Sequence, residues 1–274
     1  LYAFGALAPE VSAADRPAVL QQSGPLLAGL MGAPDPYMRV TALRVVGRVF
    51  AHRPGDGVVD ERLGDAVIAA LNSREDAVRE TAMWALGAMK YDRAVRGLTD
   101  LQLFYRKGLF AERAYDSLAH IAHESSLPMF VESLNGRDAT YRMMAIEGLA
   151  RHGDRSRHEA IQAVVRAQKI EGILLAGHFA NAALGDGPIT AIVDAMSRSK
   201  LREQARQYLV ELAPGRVAAM AALIRPPQGP VRIALIDILG GSGDPAAEAA
   251  LQPYASDTDP AVALAAQRAI ARLR

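Results

Sequence analysis

The hydrophobic positions of this chain fall into one register that recurs along its length. An apolar residue, often followed by Arg, is succeeded four positions on by a small residue and eight positions on by an aliphatic one, usually ahead of Gly or Ala. The series runs Met38-Arg39…Ala42…Val46-Gly47, Val78-Arg79…Ala82…Leu86-Gly87, Phe110-Ala111…Ala114…Leu118-Ala119 and Tyr141-Arg142…Ala145…Leu149-Ala150. It continues as Ala176-Gly177…Ala180…Leu184-Gly185, Leu201-Arg202…Ala205…Leu209-Val210, Val231-Arg232…Leu235…Leu239-Gly240 and Val262-Ala263…Ala266…Ile270-Ala271. Subtracting first positions gives steps of 40, 32, 31, 35, 25, 30 and 31 residues. Positions 0, +4 and +8 share one helical face at about 100° per residue, so each motif marks a helix with one buried side. A period of this size predicts a stack of small units, each burying its apolar face only against its neighbours.

Each motif is read as the second helix of a pair. The first helices are predicted at Asp60 to Leu71, Asp92 to Phe104, Leu127 to Leu134, Ser156 to Gln168, Pro188 to Met196, Gly215 to Ile224 and Pro245 to Tyr254, with a Pro-interrupted one across Asp15 to Met31. Proline punctuation agrees: Asp35-Pro36, Gly229-Pro230 and Asp259-Pro260 open second helices, and Gly187-Pro188 and Asp244-Pro245 open first ones. The 40-residue step holds the loop Pro54-Gly55-Asp56-Gly57, and the 25-residue step leaves room only for a short first helix. The fold expected is all-α, a right-handed α-solenoid of stacked antiparallel helix pairs, with about eight repeats and a truncated one ahead of them. Residues 1–274 are read as a single domain. Ala3, Leu7 and Ala8 sit in the phase of a broken repeat helix, and the chain is expected to be a fragment of a longer protein or to start at a processed terminus.

The segments Asp35-Pro36-Tyr37-Met38-Arg39…Ala42…Val46-Gly47, Asp76-Ala77-Val78-Arg79…Ala82…Leu86-Gly87 and Asp259-Pro260-Ala261-Val262…Ala266 resemble bacterial HEAT repeats. The resemblance is specific for architecture. For function it implies a range of roles: scaffolds, adaptors, phycobilin lyase subunits, an iron-dependent hydroxylase and DNA glycosylases. It also implies that the Arg after the first apolar position pairs with the Asp of the preceding turn, giving Arg39 with Asp35, Arg79 with Asp76 and Arg142 with Asp138. Arg202 and Arg232 lack such an Asp.

Composition narrows the picture. Half the residues are apolar and 5% are aromatic, which suits helices packed through Ala and Leu. A formal net charge of +1 gives no global attraction to nucleic acid or to an anionic membrane. The absence of cysteine removes disulfides and thiolate chemistry and leaves the compartment open, with a lean to the cytoplasm. No apolar run approaches the roughly 20 residues of a membrane helix, so no membrane insertion is expected.

Candidate chemistry is sparse. His123-Glu124 and His158-Glu159 invite comparison with the His-Glu metal ligands of deoxyhypusine hydroxylase, which the resemblance places at +2 and +3 of second helices; both pairs here are out of that phase. His120 and His123 lie one helical turn apart, two ligands short of a site. Gly240-Gly241-Ser242-Gly243-Asp244-Pro245 follows a helix and lacks the Lys-Ser or Lys-Thr of a phosphate loop. The basic run from Arg151 to His158 is read as a solvated turn capped by Asp154, and the stretch Arg198, Lys200, Arg202 and Arg206 as a weak edge for nucleic acid.

If 0, +4 and +8 are buried, +2 and +6 lie about 160° to 200° from the centre of that stripe, on the open side. These positions read Val40, Arg44, Glu80, Trp84, Glu112, Asp116, Met143 and Glu147, then His178, Ala182, Glu203, Gln207, Ile233, Asp237, Leu264 and Arg268. The sequence therefore predicts an acidic, partly apolar concave wall that binds another protein or peptide of basic, amphipathic character, with Glu80, Trp84, Glu112, Asp116, Met143, Glu147, His178, Glu203, Ile233 and Asp237 as its contacts. A non-enzymatic scaffold or adaptor without cofactor or metal is the reading, with no nucleic acid expected. The alternatives are a chromophore-handling subunit like the HEAT-type phycobilin lyases and nucleic-acid binding through the basic edges. Oligomeric state is not legible.

Overall fold

The computed structural model of the chain describes residues 1–53, 59–185, 187–225 and 229–274. Among these residues every regular element is helical, seventeen α-helices with short 3-10 turns between some of them. They form two compact units, one made essentially of residues up to Gly153 and the other essentially of Asp154–Arg274. The predicted loop at 54–57 lies outside the described residues.

The first unit opens with α1 (Tyr2–Leu7) and then alternates first and second helices: α2 (Arg16–Leu30), α3 (Pro36–Val49), α4 (Glu61–Ala70), α5 (Asp76–Met89), α6 (Val95–Tyr105), α7 (Leu109–Ile121), α8 (Leu127–Leu134) and α9 (Ala139–His152). The odd-numbered helices from α3 onward carry the motifs, and α3 packs on α5, α5 on α7 and α7 on α9. Their starts are set by short acidic side chains. Asp35 accepts from the Tyr37 N–H at 2.9 Å and Asp138 from the Thr140 N–H at 2.8 Å, each satisfying a donor that the first turn leaves open. The motif's +4 and +8 residues Ala42, Val46, Ala82, Leu86, Ala114 and Leu118 are all fully buried. Close approach is permitted by small residues: a Cβ on Gly87 would lie 3.0 Å from the Ser117 Cα, and the Ser117 hydroxyl donates to the Met83 carbonyl at 2.8 Å.

Three sequence expectations are corrected in this unit. In α1 the buried residue is Gly5, with Ala8 buried just after the helix, while Ala3 and Leu7 are exposed, because Gly5 is the position that meets Val45 of α3. Arg39 does not pair with Asp35, whose carboxylate is engaged in capping; it reaches forward to Glu75 in the next repeat at 3.1 Å. The helix expected to be interrupted by proline, α2, carries Pro25 inside it, with Ser23, Gly24 and Leu27 buried around that position. Arg79 does pair with Asp76. Arg142 donates to the Gly136 carbonyl.

The second unit continues the alternation with α10 (His158–Arg166), α11 (Glu171–Leu184), α12 (Thr190–Ala195), α13 (Arg202–Leu212), α14 (Val217–Ala221), α15 (Gly229–Gly240), α16 (Ala246–Leu251) and α17 (Pro260–Leu273). Its first helices shrink: α12, α14 and α16 span only 6, 5 and 6 residues. The missing helical surface is made up by rings and guanidiniums. Phe179 of α11 stacks on the fully buried Tyr208 of α13 with centroids 4.4 Å apart. Arg216 donates to the carbonyls of Ala182 at 2.7 Å and Gly185 at 3.0 Å, closing the C-terminal end of α11. Arg232 pairs with Asp257, again an acid of the following repeat rather than of the preceding turn.

Candidate partner-binding surface

The ten residues expected to form one wall divide between the two units. Glu80 and Trp84 stand on α5, Glu112 and Asp116 on α7, and Met143 and Glu147 on α9; His178 stands on α11, Glu203 on α13, and Ile233 and Asp237 on α15. Trp84, His178 and Glu203 are exposed, and Glu80, Glu112, Asp116, Met143, Ile233 and Asp237 are half-buried. Glu147 is a correction: it is 5% exposed, and its carboxylate lies 3.6 Å from the buried Arg151 guanidinium one turn on. Arg151 in turn donates to the Ala119 carbonyl of α7, so this acid belongs to the packing between helices rather than to a surface. Ala182 at the corresponding place on α11 is buried as well.

The acidic character expected of the wall is also reduced by its neighbours. Asp116 lies 3.5 Å from the His120 ring, Glu80 lies 3.8 Å from Arg113, and Asp237 lies 3.1 Å from Arg272. These partners, two arginines and a histidine, come from positions +3 and +10 of the second helices, which a reading confined to +2 and +6 leaves out.

A concavity in the first unit brings one of these groups, Arg113, together with Arg44 and Arg48, which stand at +6 and +10 of α3. A cavity of about 320 Å³ is lined by Arg44 and Arg48 of α3, Glu80, Thr81 and Trp84 of α5, and Arg113 of α7. Its form depends on Gly47. A Cβ at that position would lie 2.2 Å from Cζ3 of the indole and within 2.8 Å of two more of its atoms, so Trp84 can lie against the α3 backbone only because residue 47 has no side chain. The indole nevertheless stays 42% exposed. Arg44 and Arg48 flank Gly47 one turn apart, both exposed, and neither has an ion-pair partner among the described residues. Three guanidiniums against one carboxylate give the lining a net charge of +2, the opposite sign to the wall expected from sequence. The signal for this was present: the glycine at +9 of one motif and the tryptophan at +6 of the next.

The other candidates have structural employment. Among the described residues no group of three or more His, Cys, Asp or Glu is placed to hold a metal ion. His123 Nδ1 accepts from the Ser125 N–H at 3.2 Å, His120 Nδ1 is 2.8 Å from the Asp116 carbonyl, and His158 Nε2 is 2.9 Å from the Asn181 side-chain oxygen. Within the basic run, His152 is 3.1 Å from the Ala122 carbonyl, and Asp154 accepts from the Ser156 N–H at 3.0 Å, as its capping role predicts. The Ser156 hydroxyl and N–H together hold the Asp154 carboxyl below the usual carboxylate range.

Comparison with known proteins agrees with this architecture. Residues 24–103 match the family model for HEAT repeats. No curated protein sequence matches the chain. Among solved structures, the complex of CpcE and CpcF of phycocyanin lyase from Nostoc sp. PCC7120 is 19% identical, with 92% of this chain and 94% of that chain covered at a TM-score of 0.57. Human deoxyhypusine hydroxylase in complex with glycerol is 18% identical over 93% of this chain and 97% of its own, at a TM-score of 0.41. Residues 24–103 thus match HEAT repeats, and the chain has an all-helical repeat fold similar to that of the phycocyanin lyase complex.

Proposed function

We propose that the chain is a non-enzymatic adaptor that holds a segment of another protein against the accessible side of α3, α5 and α7. The observation that carries this reading is Trp84: a large aromatic, alone of its kind in the chain, kept nearly half exposed over a glycine in a cavity rimmed by arginines. Trp and Arg are the residues that most often dominate binding energy when a pocket around them is desolvated. Nothing in the packing of the unit requires the indole to remain in water, since the same helices bury Met83, Leu86 and Tyr115 completely or almost so.

Selection of random displayed peptides on the intact chain tests the proposal. Selected peptides should change the emission of Trp84 and lose at least about tenfold in affinity for Trp84→Ala, as expected of a hot-spot truncation of about 1.4 kcal/mol or more. Peptides indifferent to Trp84→Ala would refute it. A second reading, a subunit handling a chromophore, has the fold-level likeness to the phycocyanin lyase complex as its support. It predicts a visible absorption band on the chain after incubation with a linear tetrapyrrole, which the adaptor reading does not.

A further inference from the structure

We infer that the cavity between α3, α5 and α7 selects an acidic segment: a carboxylate seated on the Arg44 and Arg48 guanidiniums with a neighbouring apolar side chain on the open face of Trp84. The inference rests on the adaptor reading and deepens it by assigning the charge of the partner, which is the reverse of the basic partner that the sequence suggests.

Charge and geometry argue for it together. Arg44 and Arg48 stand at i and i+4 on α3, which puts them on one side of that helix and next to each other. Several guanidiniums of the same unit are matched with carboxylates, Arg39 with Glu75, Arg79 with Asp76, Arg93 with Glu61 and Asp65, and Arg151 with Glu147, whereas exposed arginines such as Arg62, Arg74 and Arg96 have no such match among the described residues. Arg44 and Arg48 have no such match among the described residues, and they are the two that border the cavity on the α3 side. Arginine forks recognise carboxylates through paired charge-assisted hydrogen bonds, which orient the bound group as well as attract it. The single acid of the lining, Glu80, lies 3.8 Å from Arg113, so it offsets the cation across the cavity rather than the pair on α3. Trp84, its benzo ring held against Gly47, stays exposed enough to receive an aliphatic or aromatic neighbour of that carboxylate.

A nucleic acid is disfavoured by the same geometry. Strong phosphate binding needs several cations along a continuous track. Here three guanidiniums line about 320 Å³, and the same lining carries the Glu80 carboxylate. The surface fits a short stretch of peptide with one or two carboxylates.

The test uses Trp84 as its own reporter, since the chain contains one tryptophan. Three synthetic peptides of equal length and equal apolar content, one with Glu, one with Lys and one with Gln at the polar positions, are titrated into the intact chain while emission is recorded, with a single-stranded oligonucleotide as a fourth probe. The expected result is saturable change with the Glu peptide only, weakened about tenfold or more by Arg48→Glu and by Arg44→Glu and progressively by salt. Circular dichroism of the variants, unchanged for exposed arginines, separates lost binding from lost fold. Saturable binding of the Lys or Gln peptide in place of the Glu peptide, or Glu-peptide binding indifferent to both substitutions, overturns the acidic assignment while the adaptor reading stands. Response to the oligonucleotide alone overturns both, and so does the absence of response to every probe.

Discussion

Where α5 packs on α3 and where α17 packs on α15, the same register yields opposite surfaces. Each contact has a glycine at +9 of the earlier helix, Gly47 in one and Gly240 in the other, and each has an arginine at +10, Arg48 on α3 and Arg272 on α17. Over Gly240 the backbone of Ala269 comes so close that a Cβ would lie 2.7 Å from its Cα, and Arg272 reaches back to Asp237 at 3.1 Å. Glycine and arginine there draw two helices together and close the joint. Over Gly47 lies the indole of Trp84 instead, and Arg48 has no ion-pair partner among the described residues. A third arginine at the same place, Arg151 on α9, is turned inward onto Glu147 and the Ala119 carbonyl. Where a repeat places an arginine at +10, as at Arg48, Arg151 and Arg272, the residue at +6 of the same or a neighbouring helix decides its use: a carboxylate makes it part of the scaffold, and a tryptophan leaves it for a ligand.

The largest effect that would test this division is at the inward pair. Glu147→Ala leaves the Arg151 guanidinium buried without its carboxylate and is expected to cost about 3 kcal/mol, read as a lower midpoint in urea denaturation. A change under about 0.5 kcal/mol, as at an exposed acid, would place Glu147 on the surface after all. Next come the two glycines. Gly240→Ala meets backbone, so α17 must shift, and a loss of about 2–3 kcal/mol is expected. Gly47→Ala meets only a side chain that can swing away, so a loss of about 1 kcal/mol should come with a red shift of Trp84 emission. Equal losses at both, or no spectral change at position 47, would erase the contrast between closed and open joints.

The smallest effect expected is on the acid limb of stability. The Ser73 hydroxyl, helped by Arg39, holds Glu75 below the usual carboxylate range, and the Asp259 N–H, helped by Arg232, does the same for Asp257. Carboxyls with depressed values in the folded chain stabilise it above the ordinary carboxylate range, and that contribution is lost as pH falls through and below it. Glu75→Gln and Asp257→Asn should each flatten the fall of the melting temperature in acid while leaving it lower at neutral pH. An unchanged acid slope would show that these forward pairs do not couple to folding.

Much of the fold was legible because the buried +4 and +8 residues are chemically uniform. Ala82 and Leu86, or Ala114 and Leu118, advertise a helix face whatever surrounds them, and Asp-Pro and Asp starts mark where the helices begin. The wall was only partly legible. Position +6 reads alike at Asp116 and Glu147 in the sequence, yet one is accessible and the other buried, because only Glu147 has an arginine four residues on that itself packs against the preceding second helix. The ion pairs were misassigned in direction for a similar reason. Asp35 is nearest to Arg39 along the chain, but capping claims it, and the next repeat brings Glu75 closer in space.

What the sequence determined by itself is the repeat: its period, the helices it builds and the glycines that let them approach, all consequences of helical periodicity and local sterics. The tertiary structure decided which charges are cancelled and which are left over. That depends on distances between residues about 25 to 36 positions apart, as in the Arg232–Asp257 and Arg39–Glu75 pairs and in the unmatched Arg44 and Arg48 beside Trp84.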